Sequence, residues 1–200
     1  MPSFVVNPDA VHEFRDEAAL ERWYRSNHAS EPELWIKVHK KGSGLPTVTI
    51  AEALDVALCW GWIDAIRKAF DSRSYLQRYT PRTGKSIWSQ VNTGNIERLR
   101  KLGRMQPAGE KQVALAQADG RWARAYGGFS QDQFPADLLA AITAEPKALR
   151  MFGKLTAQNR YALGFRTHSL KTEAGRKKKI AEFVEMLKRG ETIHPNGKAR

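Results

Sequence analysis

The chain has 200 residues, of which 42% are hydrophobic and 27% charged, enough for one large domain or one domain with a helical appendage. No apolar run approaches the roughly 20 residues of a membrane span, and Met1 to Val6 lack the basic-then-apolar layout of a secretory signal. A single cysteine excludes an internal disulfide, so the cytoplasm is the expected compartment.

In chain order, Phe4-Val5-Val6 is expected as a short edge strand closed by Asn7-Pro8-Asp9. Asp16 should cap a helix reaching about His28, with Leu20, Trp23, Tyr24 and Asn27 on one face. Glu33 to Lys40 alternates, which predicts a strand with Leu34, Ile36 and Val38 buried and Trp35, Lys37 and His39 on the other face. Thr49 and Glu52 have capping-box spacing ahead of an apolar stripe at Ile50, Ala53, Leu54, Ala57 and Leu58, and Gly61 is the expected stop.

Two strand-like runs follow, Trp62 to Phe70 and Ser74 to Thr80, joined by Asp71-Ser72-Arg73 as a hairpin. Beyond Ser86 the pattern is helical: Ser89 to Leu102, Pro107 to Ala118, Pro135 to Ala144, Pro146 to Phe152, Thr156 towards Ser169, and Thr172 to Arg189. Gly120 to Phe134, with Gly127-Gly128, Trp122 and Tyr126, is expected as a long surface connection. The predicted class is α+β, a small antiparallel sheet packed by helices and followed by a helical C-terminal part. Its divisions are 1–119, a connection at 120–134, and a C-terminal segment at 135–200 packed on the first part.

The formal charge is +12, and half of it falls between Arg166 and Arg200, where ten Lys/Arg face four Glu. Arg176, Lys177, Lys178 and Lys179 would give weak contact with nucleic acid or an acidic partner. The ordinary alternative is a solvated helix face. Histidines 12, 28, 39, 168 and 194 lack the close spacing of a metal motif, and no cofactor is implied. Cys59 lies near the negative end of a helix between Leu58 and Trp60, which suits an inert thiol. Thr83-Gly84-Lys85-Ser86 resembles the end of a phosphate loop, but Tyr79 stands where such a loop needs glycine.

What remains is aromatic and cationic. Trp60, Trp62 and Trp88 bracket the hairpin, and strand alternation puts Trp62, Asp64 and Ile66 on one face. An Asp64–Arg78 pair across the hairpin is expected, as structural register or as part of a half-apolar pocket. Arg82, Lys85, Ser86 and Asn92 lie just beyond, and a solvent-facing Arg82 with Lys85 would hold an anion at the following helix start.

Ala57-Leu58-Cys59-Trp60-Gly61-Trp62-Ile63-Asp64, then Tyr79-Thr80-Pro81-Arg82, Lys85-Ser86, Trp88-Ser89 and Asn92, resemble the YdeI/OmpD-associated, or bacteriocin-protection, family. The likeness starts at Leu34-Trp35 and Lys40 to Gly44. It continues through Gly103, Met105, Pro107, Ala108 and Gly109 to Phe152, Leu155 and Arg176–Leu187. The resemblance implies a small α/β cytoplasmic bacterial protein associated with antimicrobial stress, without an established reaction. The reading is a binding protein whose Trp60, Trp62 and Trp88 take the apolar body of a small ligand. Asp64, Arg78, Arg82, Lys85, Ser86 and Asn92 orient its polar or anionic end. The alternatives are an enzyme with Asp64 as acid/base and a nucleic-acid binder using the basic C-terminal helix.

Overall fold

Side-chain caps fix most of the helix starts. Asp16 accepts from the amide of Ala19 at 2.8 Å and opens α1, Glu17–Asn27. Thr49 and Glu52 cap each other reciprocally at 3.2 and 2.8 Å ahead of α2, Ile50–Cys59. Ser89, Thr156 and Thr172 each accept from the amide three residues on and so cap α3 (Gln90–Lys101), α7 (Ala157–His168) and α8 (Glu173–Lys188). Proline stands in the first turn of α4 (Pro107–Ala118) and α6 (Pro146–Gly153), where its missing N–H leaves nothing unpaired. The remaining helix, α5, spans Ala136–Thr143. These elements come from a computed structural model that describes residues 5–127, 134–170 and 172–196. Within it the chain divides into two units, Met1–Ala125 and Tyr126–Arg200.

The first unit is built on four strands: β1 (Val11–Glu13), β2 (Leu34–His39), β3 (Trp62–Ala69) and β4 (Ser74–Pro81). Their order is β1-β2-β4-β3, with β2, β4 and β3 antiparallel and β1 parallel to β2. The expected strand at Phe4–Val6 is corrected: Val5 and Val6 are not in a strand, and Phe4 lies outside the described residues. The Asn7 side chain instead starts a short 3-10 turn at Pro8–Ala10 by accepting from the amide of Asp9, and the strand follows that turn. β3 carries a bulge. Asp64 stands opposite Tyr79 and Arg67 opposite Gln77, so Ala65 and Ile66 together face Arg78.

The inner face of the sheet carries the main core. Leu34, Ile36, Val38, Trp62 and Tyr79 pack with Leu20 and Tyr24 of α1, Ala53, Val56 and Ala57 of α2, Ile96 and Leu99 of α3, and Val113 and Ala116 of α4. The outer face is covered more thinly. Trp35 is fully buried there with Ala10 and Leu76, so β2 is covered on both faces at that point.

Two glycines let the end of α2 meet the start of α4. Gly61 has φ +77°, and a Cβ there would sit 2.8 Å from the Ala108 carbonyl oxygen. A Cβ on Gly109 would sit 2.2 Å from the carbonyl oxygen of Cys59, which also accepts from the amide of Gln106 at 3.1 Å.

The second unit packs α5 to α8 around Leu138, Ile142, Leu163, Phe183 and Leu187. Asn159, 1% exposed, ties the segment after α8 to the start of α7. Its amide donates to the His194 carbonyl at 3.0 Å and its oxygen accepts from the His194 amide at 2.9 Å.

Candidate functional site

Trp60 and Trp62 follow α2 directly and lie against the C-terminal end of α1. The Trp60 indole N–H donates to Glu21 at 3.0 Å, and its ring meets His28 at 4.5 Å. Trp62, 1% exposed, donates to the His28 carbonyl at 3.1 Å and meets Trp23 and Tyr24 edge to face at 5.9 and 5.2 Å. Trp60 therefore joins the end of α2 to α1, and Trp62 joins β3 to α1.

The expected Asp64–Arg78 pair is corrected by the register. Asp64 stands opposite Tyr79 on the inner face, whereas Arg78 stands opposite Trp35 on the outer face and holds Glu33 at 2.6 Å. A one-residue offset in pairing moves a side chain to the other face. The charges that act on Asp64 are those of Arg82 and Arg67. Partial desolvation pushes its carboxyl pKa up, against a backbone hydrogen bond and those two cations. Solvent reaches the other side of the group, which is exposed, and moderates the shift.

Arg82 does not face solvent. It is 4% exposed, its guanidinium lies 3.5 Å from the centre of the Trp88 ring, and it donates to the Ile87 carbonyl at 3.1 Å. Its amide donates to Gly61 at 2.9 Å, so the chain is pinned beside the α2 stop. Trp88 in turn meets Trp122 at 5.0 Å. Trp122, expected in a surface connection, packs on the main core, and Gly128 of that stretch lies outside the described residues.

The Thr83–Ser86 loop is closed on itself. Ser86 Oγ accepts from the Thr83 amide at 2.9 Å, and the Ser86 carbonyl accepts from Arg121 at 2.8 Å. Lys85 is exposed on this loop. The helix that follows starts at Gln90, capped by Ser89, and Asn92 spends its amide on that cap at 3.1 Å. Lys85 and Ser86 thus precede the helix start instead of forming it.

Two residues absent from the sequence reading of the site stand behind Asp64. Tyr24 and Tyr79 are both fully buried, and neither hydroxyl has a hydrogen-bond partner among the described residues. Burial raises both phenol pKa values, Tyr79 adds to the shift of Tyr24, and Asp64 adds to that of Tyr79. Both hydroxyls therefore keep their protons at neutral pH and can donate. The Trp88 indole N–H is likewise buried without a hydrogen-bond partner among the described residues. The expected Asp64–Arg78 pair put Tyr79 on the other face from Asp64, and the register places it opposite Asp64 instead; an unpaired hydroxyl has no sequence signal.

Cys59 is buried, and desolvation pushes its thiol up to about 12. Among the described residues no three His, Cys, Asp or Glu side chains are placed to hold a metal ion, and no helix is long and apolar enough to cross a membrane. The basic residues of α8 are largely engaged: Arg176 holds Asp137 at 2.6 Å, Lys177 holds Glu173 at 2.7 Å, and Lys179 pairs with Glu182. Of the charge counted in the tail, Lys171, Lys198 and Arg200 lie outside the described residues.

Residues 12–112, just over half of the chain, match a family model described as a domain of unknown function, DUF8412. Residues 133–190 match a second, described as Bacteriocin-protection, YdeI or OmpD-Associated. That second match supports the resemblance noted in the sequence and falls on its C-terminal helices, whereas the Trp-rich motif lies under the first. No curated protein and no solved structure matches the chain.

Proposed function

Because the chain belongs to the DUF8412 family and carries a bacteriocin-protection segment at residues 133–190, we propose that it is a cytoplasmic binding protein of the bacteriocin-protection type. It takes a small polar or anionic ligand at the end of the β3–β4 hairpin. The observation that supports this is the pair of buried, unpartnered hydroxyls of Tyr24 and Tyr79 behind Asp64. A buried polar group left unpaired costs about 1–3 kcal/mol, and a ligand oxygen accepting from it relieves that cost. Arg82 and Arg67 supply positive potential, Trp62 walls Tyr24, and Trp88 backs Arg82. Lys85 adds an exposed cation nearby in sequence. Trp60, Arg78, Ser86 and Asn92 make the structural contacts described above and contribute through the frame.

The upward push on Asp64 favours a second reading, an enzyme with Asp64 as acid/base. Turnover that Asp64→Asn abolishes while binding persists would select it.

Tyr79→Phe tests the binding reading, since it deletes one oxygen and keeps the ring. Inorganic phosphate added to the native protein should give a saturable change in tryptophan fluorescence that Tyr79→Phe loses. If the native protein shows no saturable response, or the variant keeps it and merely gains stability, the hydroxyl is only an unpaired core group and the reading is wrong.

A further inference from the structure

The bulge in β3 re-aims a side chain. Asp64 and Arg67 stand three residues apart, a spacing that regular alternation puts on opposite faces of a sheet. The extra residue at Ala65–Ile66 returns them to one face: Asp64 lies opposite Tyr79 and Arg67 opposite Gln77, both on the inner side. Gln77, 4% exposed, holds this arrangement in place. Its side-chain nitrogen donates to the carbonyls of Ala65 and Ile66 at 3.3 and 3.4 Å, and its oxygen accepts from Arg67 Nε at 3.0 Å.

Arg67 is therefore fixed although it is exposed. Gln77 holds one edge of its guanidinium, and the Tyr75 ring centre lies 4.7 Å from the guanidinium carbon. The far edge, Nη1 and Nη2, has no hydrogen-bond partner among the described residues. The Asp64 carboxylate has no side-chain hydrogen bond or ion pair there either. The Arg67 charge acts on Asp64, yet the two groups are not bonded to each other. A long side chain held in one geometry has already met much of the ordering cost of binding.

We infer that Asp64 and Arg67 together bind the two charges of an apolar α-amino acid. The carboxylate accepts from Nη1 and Nη2 of the Arg67 fork, and the ammonium donates to Asp64. Ile66, 41% exposed and between the two in sequence, offers apolar surface to the ligand's side chain. An anion alone leaves Asp64 unanswered, and a cation alone leaves Arg67 unanswered. The inference rests on the hairpin-end reading and names the ligand of that site.

L-leucine is a suitable probe. Its counterparts are 4-methylpentanoate, which lacks the ammonium, and 3-methylbutan-1-amine, which lacks the carboxylate. Each is titrated into the full chain and read residue by residue from amide chemical shifts. L-leucine should saturate with shifts centred on residues 64–67, and each counterpart should bind at least about tenfold more weakly. Arg67→Gln should weaken L-leucine and the acid about tenfold without weakening the amine; Asp64→Asn should weaken L-leucine and the amine about tenfold without weakening the acid. Both side chains are exposed, so both variants keep the fold. Failure of L-leucine to saturate, equal binding of either counterpart, or a variant without effect would overturn the inference. A dimer that Arg67→Gln dissociates would overturn it too, because a second copy would then answer the two charges. Saturable phosphate binding without L-leucine binding would sink this inference alone; absence of both would sink the hairpin-end reading with it.

Discussion

The two units use different cores. The first buries Phe14, Tyr24, Trp60, Trp62, Tyr79 and Trp88 in one cluster, whereas among its described residues the second buries a single aromatic, Phe183, with aliphatic side chains. Aromatics bring large apolar area, but tyrosine and tryptophan also bring a polar atom that must be satisfied. Trp60 and Trp62 meet that demand with Glu21 and the His28 carbonyl; Tyr24, Tyr79 and Trp88 do not. The aliphatic unit meets its polar demand: the buried Asn159 is satisfied by the His194 backbone, and Arg176 pairs with Asp137 at the surface. The unmet hydrogen-bonding capacity of the described residues thus lies mainly in the first core, where the proposed binding region is placed.

The sharpest way to break this contrast is Trp62→Ala, which removes a 1% exposed ring held edge to face by two others. It should cost about 3–5 kcal/mol, read as a fall in the urea midpoint. An unchanged midpoint would mean that the aromatic cluster does not hold the first unit together.

A smaller effect comes from one chemical change made in each unit. Gly109→Ala pushes a Cβ to 2.2 Å from the Cys59 carbonyl oxygen and should destabilise by about 3 kcal/mol, despite alanine's better helix propensity. Gly153→Ala meets nothing within 4 Å and should be neutral or stabilising, by up to about 1 kcal/mol. Thermal melts of the two variants should move in opposite directions; a matching fall in both would remove the distinction.

The least effect is expected at Asp137, where the hydrogen bonds from Arg176 hold the carboxyl below its usual range. On acidification the unfolded chain takes up this proton before the folded one does. The pair's contribution is thus complete above the ordinary carboxylate value of about 4 and disappears as pH falls through the folded value. Both side chains are partly exposed, so Asp137→Asn should cost no more than about 1 kcal/mol at pH 7. The loss should shrink at low pH in urea titrations. A loss that stays constant with pH would show that the carboxylate charge is not what matters.

Helix starts were readable because they are local. Asp16, Thr49, Ser89, Thr156 and Thr172 each act within three residues of their own position; Asp16 and Thr49 cap where the sequence says, and the helices expected from Ser89, Thr156 and Thr172 begin just after them. The hairpin was readable from alternation. What depends on distant chain was not. β1 has three residues and no alternation to display, and it forms by pairing with β2. The bulge at Ala65–Ile66 and the register that sends Arg78 outward are set by pairing across the sheet. Arg82 reads as a surface cation, and only the placement of Trp88 and Ile87 around it makes it a buried clamp. Trp122 sits in a glycine-bearing stretch that looks like surface, and its burial follows from the core it reaches.

The meeting of Cys59 with Gly109 also gives the chain a clock. Desolvation pushes its thiol up to about 12, so at neutral pH the buried sulfur is held in its unreactive protonated form. A soluble alkylating reagent can therefore mark this sulfur only during the moments when α2 lifts away from its neighbours. With reagent in excess the rate of marking becomes the rate of opening, and with little reagent it reports the opening equilibrium, in native buffer and without denaturant.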